Sequence, residues 1–393
     1  MLIYLVIFLF LLIPVIRFDL MRIEGNKNLW FYSSLVLLIL LAGLRYRVGG
    51  DTLIYIRLFE GYPALRELST FDYSGAQFNP LWYIFNAPFV TMKSFTAFQL
   101  AHALVVNSVF SWFFRRYVPT AYFTAILVYY FGYFCYFNME VLRETLCICV
   151  LLLAYPCLEK KNFILYYILC VFALYIHMSA IVMMVIPLTL LFKRDHLWLC
   201  LLAMVAVVLA FTVFDVVTYV LGFAFEEQVA SKINSYLRRE EPNIFGILRQ
   251  LLIIVPFLLF IFIRKKNQYD NDKTIGAMLV LIAVFQTAGV FIGDLVRFSN
   301  YLLPFGIVFI VNTFFVNYWD VMKKFYTKIV VMGALFVYLF NLSFYYVMNR
   351  SEDYPGGRNY HIFVPYYSVF NPQVDERRET LVTNLRSGEV SFE

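Results

Sequence analysis

Two arginines in this sequence stand where a charge is costly. Arg143 lies in N-M-E-V-L-R-E-T-L at the start of a long apolar run, and Arg297 lies in G-D-L-V-R-F-S-N-Y just before another. An ionisable side chain in the middle of an apolar helix costs roughly 2.5–3.5 kcal/mol, and less near a membrane interface, so each needs a reason to be there. Each has a carboxylate three residues earlier, Glu140 and Asp294, which shares its face if the segment is helical. A structural ion pair is one reason. A bound anion is the other, because a guanidinium is a planar fork of five donors that stays charged when desolvated and matches phosphate.

Two further groupings carry chemical potential. In G-L-R-Y-R-V-G-G-D-T-L-I-Y the pair Gly49-Gly50 permits a tight turn. Asp51 and Thr52 are suited to cap the helix that follows, with Tyr55 one helical turn beyond Asp51. No Lys-Ser/Thr follows the glycines, so this is not a nucleotide phosphate loop. His177 lies in Y-I-H-M-S-A within an apolar block. A lone histidine there is either packed or catalytic. His102, His196 and His361 have no acidic or histidine partner at ligand spacing. No metal site, Ser-His-Asp order or cofactor fingerprint is read, so no cofactor is expected. The six cysteines all fall in apolar stretches and read as buried thiols.

The elements that must position these residues are apolar throughout. Of 393 residues 62% are hydrophobic and 15% charged, against roughly 45–50% and about 25% in soluble proteins. The 43 Phe and 30 Tyr suit membrane interfaces. Basic residues are scattered, so the net charge of +6 does not imply nucleic acid. Clear apolar segments run over 2–18, 28–44, 97–114, 120–137, 139–158, 196–214, 244–263, 274–293, 299–318 and 328–347. The first is read as a retained span, since it lacks a basic leader region and a small-residue cleavage site.

Placing the basic loops in the cytoplasm makes 79–93 a re-entrant or interfacial helix. It also makes 162–192 a short hairpin, with His177 at the floor of an outward-facing cavity. A single long tilted helix there is the alternative. The expected fold is an all-α polytopic transmembrane bundle of about twelve spans with both termini outside. It divides into a transmembrane domain over 1–347 and an aromatic tail over 348–393 packed on the outer face. On this topology the inner basic residues are mostly lysine and the outer ones mostly arginine, which points to an anionic, phosphate-bearing ligand outside.

The ordered motifs resemble one family. R-Y-R-V-G-G-D-T-x-x-Y after the second apolar segment, L-R-E-T-L, I-H-M-S-A, R-F-S-N-Y and the terminal V-P-Y-Y-S-V-F are together similar to the EpsG-like, Wzy-type polysaccharide polymerases. One departure is Glu144, which stands where that family often has Gln. The resemblance implies a metal-independent glycosyltransferase of the bacterial cytoplasmic membrane, with its active site facing outside. Such an enzyme joins undecaprenyl-pyrophosphate-linked oligosaccharide units into an O-antigen, capsule or exopolysaccharide. Donor and acceptor are both lipid-linked, and a chain-length regulator and a flippase of the same pathway are implied as partners.

The residues suit this chemistry. A pyrophosphate leaving group needs fixed positive charge, which Arg45, Arg143 and Arg297 can supply. The acceptor hydroxyl needs a general base, and His177, Asp51 and Glu140 are the candidates, in that order of preference for the first two. Tyr55, Asp294 and Tyr301 join the expected substrate-binding set through their motifs. A transporter or flippase of lipid-linked saccharides is the rival reading. It also wants arginine-lined cavities, but such proteins usually show two related halves, and no repeat is visible.

Overall fold

Side-chain caps fix where three of the helices begin in the computed structural model, which describes residues 2–74, 76–191, 202–209, 271–289, 291–292, 295–321 and 359–387. Asn26 accepts from the Leu29 amide at 3.1 Å, Ser94 from Ala97 at 3.2 Å and Asn162 from Leu165 at 3.3 Å. Each satisfies one of the donors a helix start leaves open. The chain divides into two units, residues 1–184 with 342–393, and residues 185–341.

In the first unit α1 (Leu2–Pro14) passes through a π turn (Val15–Leu20) into α2 (Lys27–Gly43). Then come α3 (Gly50–Phe59), α4 (Pro80–Thr91), α5 (Phe95–Tyr117) and α6 (Tyr122–Gly132). They are followed by α7 (Phe134–Met139), α8 (Leu142–Glu159) and α9 (Phe163–Leu174). The long α5 packs on α2, α8 and α6. At the α2–α5 crossing a Cβ on Gly43 would lie 2.9 Å from the Leu100 backbone, so only glycine permits this approach. The core is largely aromatic, with Phe110 stacked on Tyr129 at 4.8 Å. Three of its buried polar groups pair with one another. Asn107 donates to Asn138 and Asn138 to the Tyr129 hydroxyl, both at 2.8 Å.

The expected dozen membrane crossings are corrected by helix length. Among the described residues two helical stretches are long and apolar enough to cross, Leu2–Leu20 and Phe95–Tyr117. Apolar composition marks a segment that avoids water, and it does not reveal where the backbone breaks. The apolar run 120–137 is split at Tyr133, whose φ of −132° ends α6 before α7 begins. The run 139–158 starts with a break at Glu140, and the helix after it carries Arg143, Glu144 and Glu159. The segment 79–93, expected to be re-entrant or interfacial and not counted as a crossing, contains the 12-residue helix Pro80–Thr91. The block 162–192 is a 12-residue helix followed by 3₁₀ segments Met178–Met184 and Ile186–Leu191. At 1.5 Å per residue, 12 residues reach only ~18 Å, short of the ~30 Å hydrocarbon core. The chain does reverse at His177, since the Tyr166 hydroxyl donates to the Met183 carbonyl at 2.6 Å.

The second unit contains α10 (Asn271–Ala288), α11 (Val296–Asn300) and α12 (Leu303–Val321). Gln286 of α10 donates to Ser299 of α11 at 2.7 Å. The expected spans 244–263 and 328–347 lie outside the described residues, as does most of 196–214.

Candidate functional site

The α8–α9 pair places two of the candidate residues at one end. The Cys147 thiol reaches the Ala173 carbonyl at 3.3 Å. Arg143 lies one helical turn before Cys147. His177 lies one turn after Ala173, with its amide on the Ala173 carbonyl at 3.0 Å. The helices run in opposite directions through a short loop, so stepping back on α8 and forward on α9 leads to the same end.

Arg143 is half-buried there and held on two sides. Its Nε donates to the Tyr55 hydroxyl at 2.9 Å, and its guanidinium carbon lies 4.1 Å from the centre of the Phe78 ring. Stacking on a ring face uses the quadrupole of the ring and leaves the edge of the guanidinium clear. Tyr55 is itself buried, 5.1 Å from Trp82 between ring centres. Among the described residues neither Nη nitrogen of Arg143 has a hydrogen-bond partner. The side chain is thus fixed in orientation, with two donors presented side by side.

Glu140 does not share a helical face with Arg143 as the spacing had implied. It falls in the break between α7 and α8, with φ −120° and ψ −72°. Its carboxyl instead faces the first turn of α3, where a Cβ on Gly50 would lie 3.9 Å from Glu140 Cδ. Asp51 is half-buried in that same turn. Asp51 and Thr52 are not the cap. Helix α3 begins one residue before Asp51, and Gly49 occupies the cap position without a side-chain bond. Gly49 has φ +106°, and a Cβ there would lie 2.3 Å from the Met139 carbonyl oxygen. The Thr52 hydroxyl donates to that same carbonyl at 2.8 Å.

Arg45 has a different position from Arg143. It is 1% exposed, and it donates to the Val48 carbonyl at 3.1 Å, to Thr52 Oγ1 at 3.0 Å and to the Ala42 carbonyl. Burial lowers its pKa to about 10, so it stays charged at neutral pH. Its donors hold the glycine turn in shape.

His177 is half-buried in the reversal after α9. Its Nδ1 lies 2.6 Å from the Ser179 hydroxyl and accepts the Ser179 amide at 3.2 Å. The start of α4 ties this turn to the Arg143 cluster. Leu81 donates to the Tyr175 carbonyl at 3.0 Å and Asn79 to the Leu174 carbonyl at 2.7 Å. Phe78, under Arg143, is the residue next to Asn79. The structure therefore gathers Asp51, Tyr55, Glu140, Arg143 and His177 around one end of the first unit.

Sequence reading missed the parts that join them. Phe78, Asn79 and Trp82 sit in an ordinary aromatic segment with no motif. The tail holds the glycine turn through bonds that no motif shows. Its Ile362 carbonyl accepts the Gly49 amide at 3.0 Å, Tyr46 donates to the Tyr367 carbonyl at 2.8 Å, and Val369 to Leu44 at 2.9 Å. Arg378, 1% exposed on α13 (Glu376–Ser387), donates to the carbonyls of Arg47 at 2.8 Å, His361 at 3.1 Å and Pro365. Arg47 in turn bonds Glu379 at 2.7 Å.

The remaining candidates fall in the second unit. Arg297 is exposed on the five-residue α11, and Tyr301 is fully buried. Asp294 lies outside the described residues.

A model of the EpsG family matches residues 28–370. No curated protein and no solved structure matches the chain.

Proposed function

This chain belongs to the EpsG family, and on that premise we propose that it joins oligosaccharide repeat units carried on a lipid pyrophosphate into a polysaccharide at the outer face of the bacterial cytoplasmic membrane. The family and the apolar helices together indicate a membrane-associated protein with a general role in polysaccharide polymerisation. The finer reading rests on the Arg143 fork.

The reaction replaces one bond to an anomeric carbon by another. A hydroxyl oxygen of the acceptor unit attacks the anomeric carbon of the donor chain. The bond from that carbon to the pyrophosphate oxygen breaks, and its electron pair leaves with the lipid pyrophosphate. The hydroxyl proton passes to a base. Negative charge grows on the leaving oxygen, and a preoriented donor there stabilises the transition state without having to reorganise. Arg143 has this form. Tyr55 and Phe78 fix its plane, and its two Nη nitrogens match the spacing of phosphate oxygens. The carboxyls of Asp51 and Glu140 at the α3 turn provide proton acceptors near the same end. The part-exposed rings of Phe71 and Tyr73 offer faces on which sugars stack.

The test is reconstitution of the protein in liposomes with a chemically defined lipid-linked repeat unit. A ladder of lengthening polymer with release of lipid pyrophosphate is expected. Movement of labelled substrate across the bilayer with no new glycosidic bond would instead establish the transport reading.

A further inference from the structure

Helix α8 begins just after a break, and the carbonyls on both sides of that break are held by other elements. Glu140 and Val141 separate α7 from α8, and α8 starts without a side-chain cap. Before the break, the Met139 carbonyl accepts from the Thr52 hydroxyl of α3 at 2.8 Å. After it, the Leu142 carbonyl lies 3.0 Å from Nε2 of His102, on α5. A carbonyl oxygen can only accept, so Nε2 carries the hydrogen and donates it. The next residue is Arg143.

His102 is 1% exposed, and among the described residues its Nδ1 has no hydrogen-bond partner. A buried ring with one polar atom unmatched is a poor choice for stability alone, since an apolar side chain there would carry no such penalty. What the ring supplies is a donor at the first residue of α8. Gln99, also buried, stands three residues earlier on the same face of α5. The Arg45 guanidinium has only donors, so the Gln99 amide oxygen turns toward it and accepts from Nη1 at 3.2 Å and Nε at 3.1 Å. Arg45 Nη2 donates in turn to Thr52 Oγ1 at 3.0 Å. Thr52 shares a face of α3 with Tyr55, whose hydroxyl accepts from Arg143. One face of α5 therefore bonds both the glycine turn that leads into α3 and the residue that begins α8, the two elements whose side chains meet at Tyr55 and Arg143.

We propose that His102 is a positioning residue of the polymer-forming site, with Gln99 beside it: its bond to the Leu142 carbonyl sets where α8 begins, and so sets the Arg143 fork against Tyr55. This rests on the function proposed above. His102 touches no substrate and exchanges no proton. It acts through Arg143, so its effect falls on the step in which charge builds on the leaving oxygen. Misplacing a positioned group by about 1 Å costs ~100-fold in rate, and α8 starts at a break with no cap of its own to hold that position.

Two measurements on the full chain in lipid nanodiscs test this. The first follows the Arg143 Nε–H resonance in ¹⁵N-arginine-labelled protein, assigned by its loss in Arg143→Lys. His102→Leu removes the donor and should shift this resonance. His102→Gln, whose amide nitrogen stands near the place of Nε2, should leave it where wild type has it. A resonance unmoved in His102→Leu, or moved equally in both variants, overturns the proposal. The second is the polymer assay. His102→Leu should lower kcat ~10–100-fold with KM for the lipid-linked unit within about threefold of wild type, and His102→Gln should recover most of the loss. In an Arg143→Ala background the leucine change should cost less than about threefold more, because both act on one group. Losses that multiply in the double variant, or equal losses with leucine and glutamine, mean that His102 is structural support alone. His102→Asn, too short to reach Leu142, takes the place of leucine if that variant does not enter the membrane. If wild type makes no polymer, the function reading fails, and the resonance still decides whether His102 sets Arg143.

Discussion

Arg143→Ala is expected to leave the protein folded and to lower polymer synthesis by ~100-fold or more, the scale seen when one preorganised donor to a developing oxyanion is removed. The side chain is half-buried, and its removal costs the fold one hydrogen bond and two ring contacts, with Tyr55 and Phe78. Arg143→Lys is expected to be nearly as inactive. A lysine ammonium is a single point charge. It cannot bond Tyr55, stack on Phe78 and present two parallel donors at once. Turnover and thermal unfolding should be measured on the same preparations. Activity falling without a lower unfolding temperature is the expected pattern. Full activity in the lysine variant would show that only charge is needed there, and that the fork geometry is irrelevant.

The second large effect is at Gly49. Gly49→Ala is expected to cost ~3 kcal/mol or more, combining a backbone region that only glycine occupies readily with a forced contact in a packed site. The φ of +106° accounts for the first part, and a Cβ 2.3 Å from the Met139 carbonyl oxygen for the second. That oxygen belongs to backbone and cannot swing aside. Gly50→Ala supplies the contrast. A Cβ there meets nothing closer than 3.7 Å, so the fold should tolerate it. Equal unfolding temperatures for the two variants would contradict this account of the turn.

These two positions show what the sequence made legible. The glycine pair announced a tight turn, and a charge at the edge of an apolar run announced Arg143. Both signals are local. Arg45 joins Arg143 as a candidate charge for the leaving group through the glycine motif in which it sits. Nothing local revealed that its donors are spent on Ala42, Val48 and Thr52. Phe78 and Arg378 were invisible for the related reason that their partners lie 65 and 331 residues away. The count of membrane crossings failed differently. Hydropathy averages over a window, and the breaks at Tyr133 and at Glu140 with Val141 are one and two residues long. His177 was legible as a chemical group. Its contact with the Ser179 hydroxyl at 2.6 Å depends on the turn after α9, which no spacing predicts.

The central claim is that the lipid pyrophosphate sits at the end of α8 and α9 where Arg143 and His177 lie. The most direct measurement uses a lipid pyrophosphate with a photoreactive group beside the phosphates, crosslinked to the protein in membranes and mapped by mass spectrometry. Crosslinks within 50–57, 76–83, 139–147 and 175–180 are predicted, competed away by unlabelled substrate and lost in Arg143→Ala. Competed crosslinks confined to residues 185–341 would contradict the account.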